Sequence, residues 1–178
     1  MKNKILVLLI ILLLFISSCG KKEVKENTQK EEPKIIFNST DDLYSLETDD
    51  TWKQLEKGSI NSQAVLEISG KELLKYGLIL SDDKKHFTNY DSWYNSVSPR
   101  LSKGYKYDID KVEKTSVNGY NAKTISFKTN VNEYEFYMSI YFIEGKDHFI
   151  QLLLYAPYSE KEYVEKEFVE IANSFNEI

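Results

Sequence analysis

Residues 149–155 read Phe-Ile-Gln-Leu-Leu-Leu-Tyr, and they are apolar on both alternations: Phe149, Leu153 and Tyr155 on one, Ile150, Leu152 and Leu154 on the other. Successive side chains of a strand point to opposite faces. A strand of this composition is therefore buried on both sides, and something must cover each face of its sheet. That requirement excludes a sheet with one wet face and calls for three layers.

The surrounding pattern supplies the sheet. From Tyr105 onward apolar residues recur with period two, and Asn118-Gly119 and Gly145-Lys146 are turn signals. Four meander strands follow, over 107–117, 120–129, 133–144 and 148–155. Setting Asn130 opposite Glu133 places Phe127 against Phe136, Ile125 against Met138, Lys128 against Glu135 and Ser126 against Tyr137. This one pairing satisfies both faces. Upstream, an opening strand over 43–48 ends at Asp49-Asp50-Thr51-Trp52, and short strands cover 63–68 and 76–80.

Two amphipathic helices can form the outer layers. Thr88, with Asp91 three residues on, reads as a capping box, and Tyr90, Trp93, Tyr94, Val97 and Leu101 recur at helical spacing. Pro99 should end or kink this helix near Ser98. Ser159 and Glu162 form a second capping box for a helix running to about Phe175, with Val164, Phe168, Ile171 and Phe175 as its stripe. The expected fold class is α+β: a three-layer αβα sandwich around a mainly antiparallel sheet.

The N-terminus reads as an address. Lys2 and Lys4 precede an unbroken apolar run of 12 residues, Ile5 to Ile16. A spanning helix needs about 20 such residues, so the run suits a secretory signal peptide instead. Ile16-Ser17-Ser18-Cys19 resembles the lipobox of bacterial lipoproteins, in which the cysteine receives diacylglycerol before cleavage. Cys19 is the one cysteine of the chain. The resemblance implies lipidation, with palmitate or a similar chain, at Cys19, and residence on the extracytoplasmic face of the cell membrane. Two acyl chains, at about 0.8 kcal/mol per buried methylene, hold a protein to a bilayer where one does not.

The expected organisation is a signal peptide over 1–18, a lipidated cysteine and charged tether over 19–34, and a globular domain over 35–178. The segment 20–34 carries nine charges and a single aliphatic residue, Val24, too little to offset the entropy of ordering. Beyond residue 19 there are 28 acids against 21 bases, a net of −7. Nucleic acid is therefore not an expected partner. Lysine outnumbers arginine 22 to 1, which we read as the imprint of an AT-rich bacterial genome.

The order of these pieces also resembles the PsbP-like family. The features that carry the resemblance are the strand ending in Trp52, the Tyr90-Asp91-Ser92-Trp93 helix, the meander with Val117-Asn118-Gly119-Tyr120-Asn121-Ala122, and the closing Ala172-Asn173-Ser174-Phe175. The family includes the extrinsic photosystem II subunit, a nuclear-import factor that binds the GTPase Ran, and many bacterial lipoproteins. The resemblance implies a non-enzymatic sandwich that docks onto another protein or stabilises an assembly.

Residues with catalytic chemistry are sparse. His86 lies among Asp82, Asp83, Lys84 and Lys85 as part of a solvated loop, and His148 borders the Gly145 turn. Two histidines this far apart, without HExxH or a cysteine cluster, do not make a zinc site. Asp108, Asp110 and Glu113 lack the glycine and closing glutamate of a calcium loop. Neither a GxSxG elbow nor a phosphate-cradling glycine loop is present. The expectation is no catalytic set, no metal and no cofactor.

Tyrosine is the one excess, with 13 in the chain. Tyr137 and Tyr141 share one sheet face, and Tyr105 and Tyr107 lead into the meander; these four are the candidate binding surface. The expected function is a membrane-anchored, non-enzymatic module for an envelope or extracellular protein. The alternatives are a lipoprotein that binds a small molecule or wall fragment, and a hydrolase with an unrecognised site.

Overall fold

The computed structural model describes residues 33–178; the expected signal peptide, Cys19 and the charged segment through residue 32 lie outside the described residues. Strands β3 (Trp52–Gln54), β4 (Leu66–Gly70), β5 (Tyr76–Asp83), β6 (Glu113–Val117), β7 (Tyr120–Val131), β8 (Tyr134–Glu144) and β9 (His148–Pro157) form one seven-stranded antiparallel sheet. Its order is β3-β4-β5-β9-β8-β7-β6. The doubly apolar strand β9 is central, between β5 and β8, as its composition demands. A second, three-stranded sheet joins β1 (Ile35–Asn38), β2 (Tyr44–Thr48) and β10 (Asn176–Glu177), with β2 in the middle.

Each face of the large sheet has its own core. Helix α2 (Lys161–Asn173) presents Val164, Phe168 and Ile171 to one face, where Phe37, Tyr44 and Leu46 of the small sheet join them. Helix α1 (Tyr90–Tyr105) presents Trp93, Tyr94 and Val97 to the other face, against Phe142, Phe149 and Leu153. This is the α+β, three-layer arrangement that the pattern implied.

Local details differ for identifiable reasons. The β7–β8 pairing is Phe127↔Met138 and Asn130↔Glu135, two residues from the expected register. The loop is Asn132-Glu133, both at positive φ, a turn that suits the twist of a hairpin. A shift of two preserves which side chains share a face, so periodicity alone cannot detect it. The first meander strand is shorter than expected: residues 107–112 leave the sheet through a 3₁₀ turn at Ile109–Lys111.

Both expected capping boxes change. In α1 the cap is Asn89, whose side chain accepts from Ser92 N–H at 2.9 Å while Ser92 Oγ closes the box, so Thr88 and Asp91 are not the capping pair. In α2 no side chain caps the first turn; Ser159 Oγ bonds its neighbour Glu160 instead. Pro99 neither ends nor breaks α1, which continues to Tyr105. The helix loses one amide donor there, but Leu101 and Tyr105 still pack against the sheet. In addition, Tyr107 Oη donates to the Ser98 carbonyl at 3.0 Å.

Candidate functional site

The four tyrosines do not form one surface. Tyr137 and Tyr141 face α2, and both are buried. The Tyr137 ring stacks on Phe168 with centroids 6.1 Å apart, and its hydroxyl donates to Glu165 Oε1 at 3.1 Å. Burial pushes the Tyr141 phenol up to about 12. Tyr107 lies on the opposite face, buried, its ring 5.0 Å from Phe127. Tyr105, half-buried on that same face, has its phenol pushed up by burial. Strand and helix periodicity assigned these rings to faces; α2 closes over Tyr137 and Tyr141, which act as core, while Tyr105 and Tyr107 lie on the face that α1 covers only in part. The expected single tyrosine surface is thus corrected to two separate places: Tyr137 and Tyr141 are buried beneath α2, and Tyr105 and Tyr107 border open surface on the other face.

The histidines and acids have structural surroundings. His148 stands edge-on to Tyr44, with centroids 6.0 Å apart. Asp108 Oδ1 accepts from Asp110 N–H at 3.0 Å, a local turn. Among the described residues, no group of three or more His, Cys, Asp or Glu side chains is placed to hold a metal ion.

Three features escaped the sequence reading. The first is a buried charge at the α2 layer. Lys75, 4 % exposed, reaches Glu167 Oε1 at 2.6 Å and Thr51 Oγ1 at 2.9 Å while lying 4.7 Å from the centre of the Trp52 ring. Trp52 Nε1 donates to the same Glu167 oxygen at 2.6 Å. One carboxylate therefore ties the β4–β5 hairpin and β3 to α2. The second is Glu67, buried, whose carboxylate accepts from the N–H groups of Ser59, Ile60 and Asn61 at 2.6–2.9 Å and so pins the β3–β4 loop.

The third is the incomplete cover over the α1 face. Beyond the aromatic contact of Trp93 with Phe149, at 5.1 Å, α1 leaves an apolar cleft of about 250 Å³ at its C-terminal end. Leu78, Leu101, Tyr105, Phe136, Met138 and Tyr155 are among its walls. A larger groove of about 780 Å³ lies beside β7, between Thr124–Lys128 and the stretch Lys106–Glu113. The turn-forming Asp108-Ile109-Asp110 is the sequence signal that marks it, because such a cluster interrupts a strand. No described helix is long and apolar enough to cross a membrane.

No protein-family model and no curated protein matches the chain. Solved structures do resemble it. The solution structure of CyanoP, the cyanobacterial PsbP of Synechocystis, aligns with a TM-score of 0.58 at 13 % identity, over 92 % of this chain and 99 % of that one. The crystal structure of LpqN, involved in cell envelope biogenesis of Mycobacterium tuberculosis, aligns with 0.59 at 11 % identity, over 84 % and 92 %. A Bacteroides thetaiotaomicron protein aligns with 0.56 at 9 % identity over 83 % of this chain, which spans only 48 % of that protein's length. At these identities the likeness speaks for fold alone: the chain has a PsbP-like fold.

Proposed function

We propose that this chain is a lipid-anchored envelope protein whose PsbP-like domain binds another protein at the extracytoplasmic face of the membrane, without catalysing a reaction. The observation that carries this reading is the lipobox-like Ile16-Ser17-Ser18-Cys19 directly upstream of a charged segment and a PsbP-like fold. Support comes from the envelope-biogenesis role stated for LpqN. The groove beside β7 is an open surface furrow with several charged walls, which suits contact with a macromolecule better than enclosure of a substrate.

One experiment tests both halves. Cells producing the wild type or Cys19→Ala are fed a palmitate analogue, and membranes are gently crosslinked before the protein is recovered. The expected result is label and membrane retention that depend on Cys19, with a second protein co-recovered. Equal labelling of both forms, or recovery of the chain alone, would overturn the proposal. A second reading, a small-molecule binder, is favoured by the apolar cleft walled by Leu101, Tyr105 and Tyr155. A shift in melting temperature with small apolar compounds and no protein adduct would select it.

A further inference from the structure

The outer edge of β7 is half empty. On one side β7 pairs with β8 as far as Val131↔Tyr134. On the other side β6 pairs with it only as far as Glu113↔Thr124. Both hairpins have two-residue loops with both residues at positive φ: Asn118 (45°) and Gly119 (83°), Asn132 (51°) and Glu133 (73°). In such hairpins the flanking residues form a hydrogen-bonded pair, and hydrogen-bonded pairs recur every second residue. Counting from Tyr120, even-numbered residues of β7 turn their N–H and C=O toward β6. Counting from Val131, odd-numbered ones turn toward β8, and the two counts agree.

Ser126, Lys128 and Asn130 therefore aim their backbone groups at a place where no strand lies. All three are exposed, and among the described residues no backbone hydrogen bond reaches them from the neighbouring 106–112 stretch. That stretch would fill the gap had it stayed in the sheet, but it turns away at Ile109–Lys111. The space it leaves is the groove of about 780 Å³, with Tyr107, Ile125 and Phe127 as its apolar lining.

We propose that this groove takes an extended segment of a partner protein, added to the sheet as a strand along Ser126–Asn130. The inference rests on the protein-binding reading above and locates its surface. Alternating donors and acceptors over five residues, about 17 Å, match a polypeptide backbone in extended form. Charge decides between occupants. Two copies paired edge to edge about Lys128 would oppose lysine to lysine. They would also join two domains that each carry 24 acids and 16 bases over 35–178. Lysines on edge strands discourage that pairing. On the groove wall Lys111 is occupied by Asp108 at 3.8 Å, and Lys128 by Glu135 at 2.6 Å. Asp110 and Glu113 have no ion pair among the described residues, and only Lys106 stands against them on the wall. The partner segment accordingly carries an apolar residue facing Phe127 and a Lys or Arg facing Asp110 and Glu113.

The test places a benzophenone amino acid at Asn130 or, for comparison, at Tyr163, 77 % exposed on α2, in the full chain within the cells that make it. The expected result is an adduct with a second protein from Asn130 and not from Tyr163, mapping to a segment that contains Lys or Arg. Lys128→Pro should weaken the adduct about tenfold, because it deletes an outward N–H without touching the β7–β8 ladder. Lys128→Ala, which keeps that N–H, should leave it unchanged. If Lys128→Pro lowers the melting temperature, Ser126→Pro replaces it. An adduct that survives the proline in a normally folded protein overturns strand addition, as does one of twice the chain's own mass. Adducts from Tyr163 alone overturn this edge while leaving protein binding standing; adducts from neither position overturn both.

Discussion

The two faces of the central sheet are covered unequally. On the α2 face the apolar stripe runs the length of the helix, the small β1-β2-β10 sheet adds Phe37, Tyr44 and Leu46, and Glu167 fastens the rim to Lys75 and Trp52. On the α1 face the first turns carry the large rings Tyr90, Trp93 and Tyr94, but after Pro99 the sequence turns polar with Arg100, Ser102 and Lys103. The cleft and the open edge of β7 both lie in the territory that α1 leaves uncovered. One face therefore acts chiefly as structure, while the other retains surface that something else can use.

Truncations should separate the faces most clearly. Phe168→Ala removes a ring that is 0 % exposed and should cost about 3–5 kcal/mol by denaturant unfolding. Leu101→Ala, at the half-open cleft, should cost about 1 kcal/mol, since less contact is lost. Equal costs would break the contrast. Next in size, Glu167→Ala strands the Lys75 ammonium and the Trp52 N–H, at about 2–3 kcal/mol. The double change Lys75→Met with Glu167→Leu should recover the part of that loss due to the unpaired ammonium, while the Trp52 N–H stays without its acceptor; no recovery at all would show that the ammonium is not what the single change strands.

The last effect is absent at neutral pH. Burial pushes the phenols of Tyr44 and Tyr141 on the α2 face, and of Tyr155 on the α1 face, up to about 12. Each is favoured neutral in the folded state, so its contribution is complete below the ordinary phenol value of about 10 and is lost as pH rises through the folded value. Unfolding free energy should thus fall between about pH 10 and pH 12. Phenolate absorbance should rise in step with loss of circular dichroism, and Tyr141→Phe should soften that fall. Tyrosines that ionise freely while the fold persists would contradict their burial.

Much of this architecture was legible because periodicity reports faces. The double apolarity of β9 called for two cover layers, and both helices were visible from their stripes. Register was less accessible. Phe127 faces the same side whether its partner is Phe136 or Met138, so only the turn can decide. Val131 cannot readily take the positive φ that Asn132 and Glu133 adopt, and that β-branched residue was the clue. The tyrosine surface failed for a different reason: alternation tells which face a ring occupies, not how far a helix seals it. Strand β10, two residues long, is below the length at which any pattern can be read.

The small sheet also sets how the domain would yield under tension. Strands β1 and β2 are antiparallel neighbours, and Ile35, where the chain enters the sheet, lies directly opposite Thr48 at the open end of their ladder. A pull applied upstream of Ile35 would therefore peel this hairpin one rung at a time, from Ile35↔Thr48 toward Asn38↔Ser45, instead of shearing all four rungs together. Local opening of this kind is confined to the segment that bears it. Opening of β1 in this way would lengthen the chain by a few residues while leaving the pairing of the seven-stranded sheet unchanged, since β1 is not one of its strands.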